Sequence, residues 1–209
     1  MDTKYLIKDG CIYFNWKFNE PLDTYIDIMK NCSGITFSNY DNYGYVIKQK
    51  NDYYEKYFEN YQDNKFNQPL TNSLNQLTQL KELTFGYWFN QPLTNSLNQL
   101  TQLKELTLGY FFNQELNIPL NIKKLKIDCN NINFIENLPN SIEELKFGHY
   151  FDLPLTNLPN SIKIIFFEPY NYFDRELNNL PYFLEKLYLP SKYKKKIKNI
   201  NSQCIIIKN

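Results

Sequence analysis

The side chains best suited to catalysis surround the single histidine of this sequence, His149. A nucleophilic triad would pair His149 with a nucleophile such as Cys129 and an orienting acid such as Asp152. However, His149 occupies the position that Tyr87 and Tyr110 fill in neighbouring stretches of similar sequence. That position is typical of an aromatic residue in an edge loop, so we expect no catalytic residues and no enzyme activity.

The remaining reactive side chains lack the spacing of a catalytic or metal site. Glu143-Glu144 recurs as Lys81-Glu82 and Lys104-Glu105, which is typical of solvated positions beside a strand. The four cysteines are widely separated and include no CxxC pair, so we expect reduced thiols and no metal. The six glycines are scattered and form no phosphate-binding loop, so we also expect no cofactor.

The elements that position these side chains are short repeats. Residues 66–85 (FNQPLTNSLNQLTQLKELTF) and 89–108 (FNQPLTNSLNQLTQLKELTL) differ only at the last position. Their step of 23 residues lies in the range of leucine-rich repeats. The signature LxxLxΦ, where Φ is apolar, occurs as Leu80-Leu83-Phe85, Leu103-Leu106-Leu108, Ile122-Leu125-Ile127, Ile142-Leu145-Phe147, Ile162-Ile165-Phe167 and Leu184-Leu187-Leu189.

Each repeat predicts one short strand. In Leu83-Thr84-Phe85 the apolar residues alternate, so Leu83 and Phe85 point inward and Thr84 outward. Parallel strands from successive repeats would cover each other's apolar edges. The fold class predicted is a leucine-rich-repeat-like solenoid, with a parallel β-sheet on one face and turns and short 3-10 or α segments on the other.

We expect one solenoid domain over residues 1–209. Residues 1–65 would form divergent N-terminal repeats, 66–190 clear repeats and 191–209 a C-terminal cap. Ile35 and Leu83 are 48 residues apart, close to two steps of 23. This spacing predicts one divergent repeat between them, with its strand around Phe58.

A short polar residue follows the inward phenylalanine of most repeats. A stacked Asn can hydrogen-bond to its own turn and to the next one, which predicts a structural ladder. Asp152 and Asp174 depart from this pattern, because stacked carboxylates repel each other. We expect them to accept backbone N–H bonds or, alternatively, one of them to ligate a cation. The ladder positions are Asn19, Asn67, Asn90, Asn113, Asn133, Asp152 and Asp174.

The sheet face is the first candidate binding surface, because solenoids commonly bind through it. Its outward side chains change from neutral or acidic to basic at Lys126 and Lys146, and then to apolar at Ile164, Phe166 and Tyr188. An exposed apolar cluster indicates a partner site. The alternatives are that the C-terminal tail covers the cluster, or that the strand register shifts by one residue.

A row of aromatic residues between the strands and the Asn ladder is the second candidate surface. Aromatic side chains are common in interfaces. We expect one residue of each pair to lie in the core and the other at the rim. The row contains Trp16, Tyr87, Trp88, Tyr110, Phe111, His149 and Tyr150.

The recurring FNxPL, the Leu-Pro-Asn-Ser-Ile arms and the LTFG strand ends resemble the FNIP repeat family. The resemblance implies a variant of leucine-rich repeats, of a kind known from social amoebae and mimivirus-type giant viruses. The alanine-free, Asn-rich composition is more similar to the giant-virus members. Many members carry an amino-terminal F-box, but Ile12-Tyr13-Phe14 already resembles a repeat strand, so we expect none here.

The overall charge and hydropathy limit the partners. A net charge of +1 argues against a nucleic-acid groove, and no apolar run is long enough to span a membrane. The first residues do not resemble a signal peptide, so we expect a cytoplasmic protein, in the host cytoplasm if it is viral. The function predicted is a monomeric, non-catalytic scaffold that binds an unknown protein, such as a host protein, through its sheet face. The alternative is a structural or self-assembling repeat protein.

Overall fold

In the part of the chain that the structure describes, short stretches of alternating apolar residues form ten strands that join in one sheet, ordered along the chain from first to last. The computed structural model describes residues 4–37, 64–70, 73–93, 96–129, 131 and 135–208. The strands are β1 (Tyr5–Lys8), β2 (Cys11–Phe14), β3 (Gly34–Phe37), β4 (Glu82–Thr84), β5 (Glu105–Leu108), β6 (Lys124–Ile127), β7 (Glu144–Phe147), β8 (Ile164–Phe167), β9 (Lys186–Leu189) and β10 (Ile205–Lys208).

The strands β2 to β10 are parallel, and each pairs with the next in the register that the repeats predict. Leu83 pairs with Leu106, Leu106 with Leu125, and Leu125 with Leu145. All four leucines are at most 1% exposed, because each coil covers the apolar edge of its neighbour. The predicted leucine-rich-repeat-like solenoid is therefore confirmed.

The first strand differs from the rest and was not predicted. β1 pairs with β2 in antiparallel orientation, with Tyr5 opposite Phe14. Asp9 and Gly10 join the two strands with φ values of 51° and 74°, the left-handed conformation that a two-residue hairpin turn requires. β1 thus covers the outer edge of β2.

The strands β3 and β4 are neighbours in the sheet. Ile35 on β3 pairs directly with Leu83 on β4. The predicted strand around Phe58 lies outside the described residues. Further along the chain, the Lys65 N–H donates to the Trp16 carbonyl at 2.9 Å. Residues 64–66 therefore continue the coil that β3 begins.

The core contains the inward strand residues, the phenylalanines of the following turn and the leucines of the arches. Phe85 and Phe89 stack at 3.9 Å, and Phe147 and Phe151 at 4.1 Å. On the opposite face lie 3-10 helices at Leu22–Tyr25 and Ser73–Gln76 and a short helix α1 at Ile26–Met29. The corresponding stretch of the next repeat, residues 96–100, forms turns instead.

The Asn ladder is present among the described residues. The Asn67 N–H donates to Asn19 Oδ1, and the N–H groups of Asn90 and Asn113 donate to the preceding ladder residue, each at 2.9 Å. Asn133, also predicted for the ladder, lies outside the described residues. The ladder therefore ties each coil to the one before it.

The two aspartates extend the ladder with charge compensation. Asp152 Oδ1 accepts the Asp174 N–H at 3.4 Å, as the first of the two alternatives predicts. Arg175 lies 3.3 Å from the Asp152 carboxylate, and Lys195 lies 3.2 Å from that of Asp174. Side chains of the protein itself therefore supply the positive charge that reduces the repulsion between these carboxylates.

Candidate binding surfaces

The apolar cluster predicted on the sheet face points outward. Ile165 and Phe167 are 0% exposed and face the core, so Ile164 and Phe166, which alternate with them along β8, lie on the opposite side. The register also continues unchanged from β7 to β8, with Leu145 opposite Ile165. A register shift therefore does not account for the cluster.

The C-terminal residues do not cover the cluster either. β10 extends the sheet beside β9, with Ile205 opposite Lys186 and Ile207 opposite Tyr188. Two further isoleucines thus join the outward face, a contribution that the alternation in Cys204-Ile205-Ile206-Ile207 could have indicated. We name the apolar ribbon as Ile164, Phe166, Tyr188, Ile205 and Ile207.

The ribbon lies on three adjacent strands, with the outward Lys186 on β9 between Ile164 and Ile205. Phe166 and Tyr188 are neighbours across β8 and β9, and their ring centroids are 5.2 Å apart. Ile205 is 56% exposed, whereas the other four side chains are half-buried by their neighbours. The ribbon therefore has two aromatic residues at its centre and aliphatic residues around them.

The predicted basic section of the sheet face is largely neutralised within the chain. Lys126 forms an ion pair with Glu168, and Lys146 lies 2.9 Å from the Glu144 carboxylate. The section from β6 to β7 is therefore a polar border of the apolar ribbon.

The aromatic row forms a rim along the edge where the strands end. Trp88 and Phe111 are 45% and 40% exposed, and Tyr87 and Tyr110 are half-buried. Both members of each pair therefore lie at the surface, and the prediction that one of them enters the core is wrong. The residue after each pair lies in the core instead. Phe89, which follows Trp88, is 0% exposed.

The rings of the rim are in mutual contact. Tyr87 stacks on Tyr110 at 5.2 Å, and Trp88 stacks on Phe111 at 4.5 Å. Tyr150 lies 4.9 Å from Tyr110, although one coil separates β5 from β7. We name the aromatic rim as Tyr87, Trp88, Tyr110, Phe111, His149, Tyr150 and Tyr172.

Asp128 positions the part of the rim that lies after β7. Its Oδ1 accepts the Tyr150 N–H at 2.9 Å. Burial raises the pKa of this carboxyl, and the hydrogen bond from Tyr150 and the charge of Lys126 oppose the shift. A Cβ on Gly148 would lie 2.5 Å from Asp128 Cγ, so the glycine leaves the space that the carboxylate fills.

The residues of the triad considered from the sequence are unsuited to that chemistry. Burial raises the pKa of Cys129 to about 12, so the nucleophilic thiolate is disfavoured. Burial lowers the pKa of His149, whose ring packs edge-on against Tyr150 at 4.8 Å. Asp152 belongs to the ladder and pairs with Arg175. These contacts place the three side chains in packing roles.

The described part of the chain contains no group of three or more His, Cys, Asp or Glu side chains arranged to hold a metal ion. The four cysteines are free thiols. Within the same residues, no helix has the length and apolar character needed to cross a bilayer.

Comparison with known proteins supports the repeat family. Residues 130–169 match the FNIP Repeat family. No curated protein matches the sequence. A crystal structure of the giant-virus protein CroV588, described as a novel circular LRR protein, is similar at a TM-score of 0.44 and 21% identity, over 95% of this chain and 41% of that one. The chain thus spans less than half of that protein. The segment that matches the FNIP Repeat family contains strands β7 and β8 of the parallel β-solenoid.

Proposed function

We propose that this protein is a non-catalytic scaffold that binds a protein partner through the apolar ribbon. The observation that supports this role is the outward orientation of five apolar side chains on β8, β9 and β10. An apolar surface of this kind is favoured in water only when another surface covers it. A leucine-rich-repeat-like sheet offers a rigid platform for such a contact.

The composition of the ribbon fits the centre of an interface. Phe166 and Tyr188 provide aromatic anchors, which dominate the binding energy of many interfaces. The ion pairs of Lys126 and Lys146 form a polar border on the β7 side. A stable complex buries roughly 800 Å² on each partner, so the partner would also contact this border.

We propose that the protein binds its partner in a reducing compartment, the cytoplasm. If the protein is viral, this is the cytoplasm of the host. All four cysteines are free thiols, and Cys11 and Cys204 are half-buried rather than enclosed. Thiols of this kind persist where glutathione keeps them reduced.

The test is affinity capture with the 209-residue protein, followed by mass spectrometry, using Phe166→Glu and Tyr188→Glu. Either change places a charge at the centre of the ribbon, so we expect a partner captured by the unmodified protein to be lost. Thr107→Glu is the matched control, because Thr107 points outward on the same sheet face but lies on β5. Capture that survives both ribbon substitutions would exclude the ribbon as the binding site.

Self-association is the second candidate function, and one observation favours it. β10 is the outermost strand of the sheet, and Ile205 and Ile206 are 56% and 44% exposed. Apolar edge strands tend to pair with other chains. Sedimentation velocity at increasing concentration separates the two functions: a constant monomer supports the scaffold, whereas larger species that Ile206→Lys abolishes support assembly.

A further inference from the structure

The row of outward side chains that crosses the apolar ribbon contains a lysine. From β7 to β10 the paired residues of this row are Glu144, Ile164, Lys186 and Ile205. Lys186 therefore lies between two isoleucines of the ribbon, and its side chain is half-buried. A surface that covers the ribbon must also cover this ammonium group.

Lys186 has no carboxylate partner in the described part of the chain, since it belongs to none of the ion pairs there. In the same row Glu144 lies two strands away, which is about 10 Å. Its carboxylate pairs with Lys146 at 2.9 Å. Burial of an ammonium group without a counter-charge is unfavourable. A purely apolar partner would therefore be opposed within the ribbon itself.

The turn that follows β9 adds positive charge at the same end of the sheet. Residues 190–209 contain six lysines and no acidic residue. Lys195 and Lys198 pair with acidic residues of the preceding coil at 3.2 and 3.0 Å. Lys208 donates to a backbone carbonyl at 2.9 Å. The lysines that remain outside the ion pairs of the described residues are exposed, and they are Lys192, Lys194 and Lys196.

Contacts with the preceding coil hold this turn in place. The Leu177 N–H donates to the Lys196 carbonyl at 3.1 Å. Tyr193 is 2% exposed, and its hydroxyl donates to the Arg175 carbonyl at 2.9 Å. The exposed ammonium groups therefore extend from an ordered backbone, which concentrates their charge at one end of the sheet.

The distribution of charge favours one class of partner. Exposed Glu185 precedes Lys186 and would repel a uniformly anionic surface, such as a lipid bilayer or a nucleic-acid backbone. At the other end of the sheet, residues 4–14 contain two lysines and one aspartate, so a second copy stacked end to end would bring no excess of negative charge. A polypeptide can carry carboxylates at the positions that meet the lysines.

We propose that the apolar ribbon binds an acidic polypeptide segment that also carries apolar side chains. This inference rests on the proposed function of the ribbon and names the chemistry of its partner. The apolar side chains of the segment pack on Phe166 and Tyr188, and one of its carboxylates pairs with Lys186. Lys192 follows Tyr188 by four residues, at most about 14 Å of extended chain, so the same segment reaches the lysines of the turn.

The test is selection of random peptides on the immobilised protein. Phage-displayed peptides of about ten residues are suitable, because such a peptide spans up to about 35 Å when extended. We expect the enriched peptides to combine Asp or Glu with Leu, Ile or Phe. The same selection on the Phe166→Glu protein should not enrich them, because the ribbon is disrupted.

Charge reversal tests Lys186 itself. Lys186→Glu should weaken binding of an enriched acidic peptide by about tenfold in fluorescence anisotropy, and a new selection on this variant should enrich Lys or Arg instead. Lys186→Arg keeps the charge and should keep most of the affinity. Lys104→Glu is the matched control, because it makes the same change at an exposed position beside β5, away from the ribbon. Circular dichroism melts of every variant show whether the fold is retained.

The exposed lysines of the turn are tested by the rate of association. Joint replacement of Lys192, Lys194 and Lys196 by Gln should slow association of the acidic peptide more than it speeds dissociation, because exposed charges mainly steer the encounter. Biosensor measurements at low salt give both rates. An unchanged association rate would exclude these three lysines from recognition of the segment.

The outcomes separate this proposal from the function on which it rests. Enrichment of apolar peptides without acidic residues would retain the ribbon as the binding site and overturn the acidic partner. Failure to enrich any peptide that Phe166→Glu loses would overturn both. Equal weakening by Lys186→Glu and Lys104→Glu would show non-specific attraction between charges. Binding of phosphatidylserine vesicles or of single-stranded DNA, without enrichment of acidic peptides, would assign the lysines to a phosphate-bearing partner.

Discussion

At the scale of single residues, the amide ladder joins each coil to the next by hydrogen bonds. Asn90 Oδ1 accepts the Asn113 N–H at 2.9 Å and the Gln114 Nε2 donor at 3.0 Å. Asn90→Ala leaves both donors without this acceptor, so we expect the free energy of unfolding to fall by about 1 kcal/mol. Urea denaturation followed by circular dichroism measures the change. Asn98→Ala is the control, because Asn98 is exposed on an arch outside the ladder, and an equal loss there would contradict the ladder's role.

Asp128 should make stability depend on pH in an unusual direction. Burial raises the pKa of this carboxyl in the folded protein above the ordinary value of 3.8. The folded state then binds the proton more tightly than the unfolded state does. Protonated Asp128 therefore contributes its full stabilisation below the ordinary pKa of 3.8. The contribution is lost as pH rises through the folded pKa. The charged and titratable groups near it are Lys126 on its own coil and Glu168 and His149 on the coils that follow.

Asp128→Asn should therefore stabilise the protein at pH 7. The amide oxygen can still accept the Tyr150 N–H, and no buried charge remains. We expect a higher urea midpoint than that of the unmodified protein at pH 7, and a smaller difference at pH 3.5. A lower midpoint for Asp128→Asn at pH 7 would mean that the carboxylate charge itself stabilises the fold.

At the scale of elements, the glycines after β4, β5 and β7 set how closely successive coils approach. A Cβ on Gly109 would lie 2.2 Å from the Gly86 carbonyl oxygen, which is backbone and cannot rotate away. Gly109→Ala should cost about 1–3 kcal/mol of unfolding free energy, because the two turns must move apart. The Cβ of Gly86→Ala would meet its nearest atom at 2.8 Å, so this change should cost less. Urea midpoints in the reverse order would contradict the close-approach argument.

Strand register was predictable from the sequence, because a shift of one residue would turn every inward leucine to solvent. The pairing of Leu83 with Leu106 follows directly from two nearly identical repeats. The hairpin of β1 was missed, although Asp9-Gly10 is a recognised signal for a two-residue turn. The direct pairing of β3 with β4 could not be foreseen, because 48 residues fit two regular steps as well as one step with an insertion.

At the scale of the whole molecule, the binding surfaces were only partly predictable. Alternation placed Phe166 and Tyr188 on the outer face, and the register confirms that orientation. The sequence could not show whether later residues fold over Phe166 and Tyr188, because this depends on contacts between distant segments of the chain. The contribution of Ile205 and Ile207 to the ribbon depends on the pairing of β10 with β9. The aromatic rim was recognised as a row, but its edge-to-face ring contacts follow from the packing of rings on different coils.

A solenoid should also lose different amounts of stability at its middle and at its last strand. Leu106 points inward on β5 and is 1% exposed, with coils on both sides, so Leu106→Ala should cost about 2–5 kcal/mol of unfolding free energy.

Ile206 holds the corresponding inward position on β10 but is 44% exposed, because it is covered from the β9 side alone. Ile206→Ala removes contacts on that single side, so we expect a loss of about 1 kcal/mol, with local unfolding of the last coil before the rest. Urea denaturation gives both values, and hydrogen exchange locates the weakened amides. Equal losses, with exchange spread evenly over all coils, would mean that the chain unfolds as one globular unit rather than as a stack of neighbours.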